Sequence, residues 1–249
     1  MKVSIITISY NSCNTIRDTI ESVIAQDYSD IEYIIIDGNS NDGTKDIINS
    51  YKDKISIFLS EKDNGIYDAM NKGISLASGD LIGIINSDDC YANNQVISNV
   101  VGQILETNCD ALYGDLIYLN NKTGKPIRKW SSGKYKKDLF KYGWMPPHPT
   151  FFVKREIYKR YGSYNTLLKN SADYELMLRF IHRYEVTVTY LPEILVKMKT
   201  GGVSNSSFKN RWNANKEDIL AWKLNNLCPL YITRWLKPCR KLLQFVKRN

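Results

Sequence analysis

The chain has 249 residues, of which 43% are hydrophobic, 12% aromatic and 24% charged. That supports one sizeable folded core and excludes a disordered chain, a collagen and a coiled coil. No apolar run approaches the ~20 residues of a membrane-spanning helix, and the net charge of +8 suggests an anionic partner such as a phosphorylated substrate, a membrane surface or a nucleic acid.

The charge is split along the chain. Residues 1–115 carry 7 Lys and Arg against 18 Asp and Glu, and residues 116–249 carry 27 against 8. The first half, at −11, is suited to a cation, and the second, at +19, to an anion. Five cysteines, Cys13, Cys90, Cys109, Cys228 and Cys239, show no C-x-x-C spacing. They fit a reducing compartment and argue against a zinc site or a disulfide framework.

Residues 2–8 are β-branched and are expected to form a strand. Lys2 gives them the look of a signal peptide, but the run is short and no small-residue cleavage pattern follows. The segment is therefore expected to be the first strand of a cytosolic protein. Ile16, Ile20, Val23 and Ile24 share one helical face. Residues 31–37 form a second strand ending in Asp37, and a Gly-Asn-Ser-Asp loop follows. A short helix holds Ile47 and Ile48. Residues 55–59 are a third strand, 67–77 a third helix and 81–85 a fourth strand. The run Asn86-Ser87-Asp88-Asp89 comes next, then an amphipathic helix through Val96, Val100 and Ile104.

This alternation predicts an α/β fold whose mainly parallel central sheet is covered by helices on both faces. Ligands of such sheets bind beyond the carboxyl ends of the strands. Residues 9–11, Asp37, residues 61–64 and Asp88 all fall there. Further on, residues 111–119, 126–130 and 150–153 read as strands and 173–184 as a helix. The tail from 224 is helical, broken at Pro229 and Pro238.

No G-x-G-x-x-G and no G-x-x-x-x-G-K-[ST] is present, which disfavours a dehydrogenase or a P-loop ATPase. A nucleotide diphosphate would need another anchor, such as a divalent cation on carboxylates. Asp88 and Asp89 suit that role, and they equally suit capping the helix that follows. Asp37 likewise fits either a ligand contact or an Asx turn.

The ordered motifs decide between such readings. Val3-Ser4-Ile5-Ile6-Thr7-Ile8-Ser9-Tyr10-Asn11, Asp37-Gly38-Asn39-Ser40, Asp63-Asn64-Gly65-Ile66-Tyr67-Asp68-Ala69-Met70-Asn71-Lys72-Gly73, Gly79-Asp80, Asn86-Ser87-Asp88-Asp89 and Ser171-Ala172-Asp173-Tyr174-Glu175 recur in that order. Together they resemble the family 2 glycosyltransferases of the GT-A fold, over about residues 1–205. His148-Pro149-Thr150 and Gly201-Gly202-Val203-Ser204 look most like the colanic-acid-type exopolysaccharide subgroup.

The resemblance implies an inverting transfer of a sugar from a nucleotide-sugar, UDP by default, to a glycan or lipid-linked acceptor in bacterial surface polysaccharide synthesis. Asp173 would be the general base. Thr7, Ser9, Tyr10, Asn11, Asp37, Asp63, Asn71, Asn86, Asp88 and His148 would border the donor. Asp88 and Asp89 would hold Mn²⁺ or Mg²⁺, although Asn86 stands where the family's D-x-D has its first acid. The implied division is a catalytic domain over 1–204, with a donor half 1–115 and an acceptor half 116–204, and a basic helical extension over 205–249. Basic and apolar residues interleave in 229–249, which suits peripheral contact with the inner face of a membrane. Arg211-Trp212 lacks the glutamine expected three residues earlier and is assigned to helix packing. The competing classes are a metal-dependent nucleotidyltransferase and a nucleic-acid-binding protein, for which no recognition module is visible.

Overall fold

The computed structural model describes residues 1–199, 208–233 and 236, and over 208–213 the backbone only. Strands β1 (Val3–Ser9), β2 (Ile31–Asp37), β3 (Ile57–Ser60) and β4 (Leu81–Asn86) run parallel in the order β3-β2-β1-β4. Every residue of β1 is buried, as an apolar strand covered on both faces requires. Ser9 pairs with Asp37 and Ile8 with Asn86. The carboxyl ends of three neighbouring strands therefore finish on one line.

Helices α1 (Ile16–Ile24), α2 (Thr44–Asn49) and α3 (Ile66–Leu76) make the crossovers, and α4 (Val96–Thr107) follows the sheet's fourth strand. Two cores result. Val3, Ile5, Tyr33 and Ile35 meet Ile16, Ile20 and Val23 of α1 and Val96, Val100 and Ile104 of α4. Ile6, Ile8, Ile34 and Ile36 meet Tyr67 and Met70 of α3 on the other face. Each fully buried aliphatic side chain contributes roughly 1.5–3 kcal/mol. Gly73 lets α3 lie close to β1, since a Cβ there would fall 2.4 Å from Cγ2 of Ile6.

The rest of the chain adds β5 (Asp89–Tyr91), β6 (Ala111–Leu119), β7 (Pro126–Trp130), β8 (Phe152–Lys154) and β9 (Val188–Lys199). Among the described residues the sheet has nine strands, ordered β3-β2-β1-β4-β8-β6-β9-β5, with β7 beside β6. β8 runs antiparallel to β4 and β6, β5 antiparallel to β9 and β7 antiparallel to β6, while β6 and β9 are parallel. The parallel arrangement thus covers β1–β4, and the rest of the sheet is mixed.

Helix α5 (Arg155–Tyr161) follows β8 directly. The helix expected at 173–184 is α6 (Ala172–Met177), continued by a π-helical turn at Leu178–Arg183. Helix α7 (Phe208–Leu224) packs on α6. Its Trp222 is fully buried and donates from Nε1 to the Tyr174 hydroxyl at 2.9 Å, so α7 is part of the body. The boundary at 204/205, the Gly201-Gly202-Val203-Ser204 motif, the side chains of Arg211 and Trp212, and most of the basic tail lie outside the described residues. Among the described residues, the four cysteines are free thiols and no helix is long and apolar enough to cross a membrane.

Candidate active site

The carboxyl-end rim is built first by β1 and β2. Ser9 is buried and its hydroxyl has no partner. Tyr10 is 67% exposed beside it. Asn11 turns the chain with φ of 47°. Its Oδ1 accepts from the Asn41 amide at 3.1 Å, and its own amide donates to Ser40 Oγ at 2.8 Å. The buried Asp37 carboxylate accepts from the Ser40 amide at 2.9 Å, from the Ser40 hydroxyl, and from Ser60 Oγ at 2.7 Å. Its oxygens are committed to shaping the loop after β2, as in an Asx turn.

Gly38 leaves a gap that its neighbours define. A Cβ on it would sit 3.0 Å from Oδ2 of Asp63 and 3.1 Å from Cδ2 of Tyr10. Asp63 is held from behind by Lys72 at 2.7 Å, which also pairs with Glu61 at 2.8 Å and more loosely with Asp68 at 3.6 Å. Asp63 and Glu61 hold the Lys72 ammonium well above the usual lysine range. Tyr10, Gly38 and Asp63 thus meet at the ends of β1, β2 and β3.

The acidic turn follows β4. Asp88 and Asp89 do not cap the next helix, because β5 intervenes and α4 begins only at Val96. Ser87 Oγ lies 2.7 Å from Ser12 Oγ, tying this turn to the loop after β1. Burial pushes the Asp88 carboxyl up, with His148 and Lys199 pulling it back. Burial, then the Asp88 charge, pushes Asp89 up well beyond the carboxylate range. Asp89 Oδ1 and Asn86 Oδ1 are buried without a partner.

A divalent cation fits this donor set. Two adjacent carboxyls made costly by burial, together with an orphaned amide oxygen, are hard oxygen ligands in need of positive charge. Among the described residues no group of three or more His, Cys, Asp or Glu is placed to hold a metal ion by itself. Mg²⁺ and Mn²⁺ accept one or two carboxylates and complete their shell with substrate oxygens and water.

A third part comes from distant segments. Asp173, in the first turn of α6, accepts from the Tyr67 hydroxyl through Oδ1 at 3.3 Å. Its Oδ2 faces Nδ1 of His148 at 3.6 Å. His148 reaches Asn86 through Nε2 at 3.2 Å, and Asn86 reaches Asp89 at 3.2 Å. Burial lowers the His148 pKa, with Asp173 and Asp88 opposing. Tyr67, Asp173, His148, Asn86 and Asp89 therefore form one continuous polar run.

Not every expected residue joins it. Thr7 is buried in the core and shares a hydrogen bond with Tyr33 Oη at 3.1 Å. Strand alternation turns it away from the rim. Asn71 is a brace, with Nδ2 donating to Tyr164 O and Oδ1 accepting from Tyr164 N, both at 2.8 Å. Glu175, two residues after Asp173, turns inward to Arg179 at 3.0 Å and accepts from Asn225 Nδ2 at 2.8 Å. Tyr67 and Ser12 are additions. Tyr67 stood in the quoted 63–73 motif, and its place in the first turn of α3 was the available signal.

The family model for Glycosyl transferase family 2 matches residues 4–162. An uncharacterized glycosyltransferase of Mycobacterium tuberculosis is 33% identical over 187 residues, covering 71% of this chain and 68% of its own. The PGL/p-HBAD biosynthesis glycosyltransferase of the same species is 26% identical over 208 residues, covering 82% and 79%. Residues 1–349 of S. aureus TarS in complex with UDP-GlcNAc superpose with a TM-score of 0.73 at 19% identity, covering 90% of this chain. This chain spans 65% of that solved chain. The mannosyltransferase PcManGT from Pyrobaculum calidifontis, in complex with GDP-Man and Mn²⁺, gives 0.65 at 15% identity, covering 100% and 76%. The architecture is the GT-A fold.

Proposed function

Because the chain belongs to glycosyl transferase family 2 and is a glycosyltransferase, we propose that it moves one sugar from a nucleotide-sugar to an acceptor hydroxyl with inversion at the anomeric carbon. The observation that carries this reading is the polar run from Asp173 through His148 and Asn86 to Asp89. It sets a half-exposed carboxylate beside an acidic turn on the strand-end rim.

Tyr10, Gly38 and Asp63 border the nucleoside, and Ser9, Asn11 and Asp37 hold the loops that carry them. Asp88 and Asp89 would hold Mn²⁺ or Mg²⁺, and such a cation would supply neutralisation of charge on the departing diphosphate. Asp173 removes the proton of the acceptor hydroxyl as its oxygen attacks opposite the leaving group. Tyr67 and His148 keep that carboxylate oriented. The anomeric carbon passes through an oxocarbenium-like state, as in glycoside hydrolysis. No covalent enzyme intermediate forms.

A UDP-sugar is the default donor, supported by the UDP-GlcNAc held by TarS. A glycan or lipid-linked acceptor of bacterial exopolysaccharide synthesis fits the colanic-acid-type motifs. The division into donor half 1–115, acceptor half 116–204 and extension 205–249 is part of the same reading. So is peripheral membrane contact through 229–249. Thr233 Oγ1 anchors the start of that tail on Lys141 O at 2.6 Å, while Tyr231 is fully exposed.

The test is a thermal-shift panel of UDP-, GDP- and dTDP-sugars with and without Mn²⁺. A ligand that binds only the folded state raises Tm. A cation-dependent rise with one nucleotide class is expected, and no rise with any of them contradicts the reading.

A further inference from the structure

The acidic turn opens on an amide, not an acid, and the amide nitrogen of Asn86 is fully used. It lies 3.2 Å from Oδ2 of Asp89 and 3.2 Å from Nε2 of His148. Its two hydrogens match those two acceptors, and it offers no lone pair in return. With the amide oriented this way, Nε2 of His148 accepts and the ring proton sits on Nδ1. That nitrogen faces Oδ2 of Asp173 at 3.6 Å, a distance that closing on substrate would shorten.

The ring is also held from its backbone. Pro147 and Pro149 flank it. Thr150 Oγ1 donates within reach of Pro147 O at 2.9 Å and Gly114 O at 3.1 Å, fixing the turn to β6. Nε2 thus meets Asn86 and Nδ1 faces Asp173, so both ring nitrogens are directed at the protein's own groups. An aspartate at 86 could donate to neither neighbour and would face the Asp89 carboxyl.

We propose that Asn86 and His148 are a positioning pair that fixes the reach of the Asp173 carboxylate from the acidic turn. The pair sets the spacing between the group that takes the acceptor proton and the diphosphate that departs. This rests on the assignment of Asp173 as base. It gives the amide at position 86 a function that an acid could not serve. Misplacement of a reacting group by about 1 Å costs on the order of 100-fold in rate.

The first test needs no substrate. The chain has two histidines, so a His182→Gln background leaves the ¹⁵N signals of His148 alone. The neutral Nδ1–H tautomer is expected, and Asn86→Asp is expected to move the proton to Nε2. An Nε2–H tautomer without the mutation, or an unchanged tautomer with it, overturns the pair. The second test uses whichever sugar of the UDP, GDP and dTDP panel is turned over with Mn²⁺. Asn86→Ala and His148→Ala should each lower kcat about 10- to 100-fold with donor KM within about 2-fold. The double variant should be no worse than the poorer single one. Losses that multiply, with Asp173→Asn inactive, overturn the pair and leave the base standing. Wild-type turnover by Asp173→Asn overturns both.

Discussion

The Tyr67 hydroxyl lies 3.3 Å from Oδ1 of Asp173, 106 residues away in the chain. One donor from α3 thereby orients a carboxylate carried by α6. Asp173→Asn should keep nucleotide binding and lose about 100- to 10,000-fold in transfer rate, the usual range for a general base. Tyr67→Phe removes only an orienting bond and should cost about 10-fold or less in kcat. Steady-state kinetics beside nucleotide thermal shifts separate the two effects.

Asp88→Asn should abolish the Mn²⁺-dependent rise in Tm given by a nucleotide diphosphate, and chelation with EDTA should do the same to the unmodified protein. Removing one carboxylate from a site that has few leaves the cation without its main charge partner. An undiminished shift in the variant would assign the cation elsewhere.

Gly73→Ala sets two effects against each other. Helix propensity alone favours alanine by about 1 kcal/mol. The added methyl would lie 2.4 Å from Cγ2 of Ile6, in a fully buried contact between α3 and β1. Overpacking of this kind costs about 1–3 kcal/mol. A net loss of about 0–2 kcal/mol is expected in urea unfolding, and a gain would contradict the packing of α3.

Glu32 sits near the amino end of β2, at the far end of the strand from Asp37. Burial alone would raise its pKa, but hydrogen bonds from Lys2, Ser4 and Ser78 outweigh it and bring it down to about 2. The folded value is below the unfolded one, so this stabilisation is present above the ordinary 4.5 and is lost as pH falls towards 2. Glu32→Gln should cost at most ~3 kcal/mol at pH 7, and the difference should vanish near pH 2. Denaturant midpoints measured across that range are the check.

Deleting 229–249 should abolish co-sedimentation with vesicles containing anionic lipid. Arg234, Lys237, Arg240, Lys241, Lys247 and Arg248 supply charge without an opposing acid in that stretch. Equal binding before and after the deletion would remove the tail as an anchor.

The parallel half of the fold was legible because β1, β2 and β4 are near-continuous β-branched runs whose helices keep a clear period. β5 and β9 were not. β5 has three residues and opens on an acid, while β9 contains Pro192 and alternates exposure along its length. The motifs located the rim but not which side chains face it. Thr7 and Asn71 stand in motifs that border the site, yet strand alternation and the pairing with Tyr164 turn them to structural work. His148 was expected at the donor, but two prolines fix a backbone without saying that the ring meets Asn86 and faces Asp173.

The pairing of Asp89 with Met198 across β5 and β9 has a bearing on how a nascent chain matures. The four parallel strands close with crossovers made within the first 86 residues. The second acid gains its strand partner only 109 residues later in the chain, the separation of Asp89 from Met198. Long-range pairing of that kind forms late. On the proposed reading, a growing polypeptide has the shelf for its nucleoside before its acidic turn is clamped.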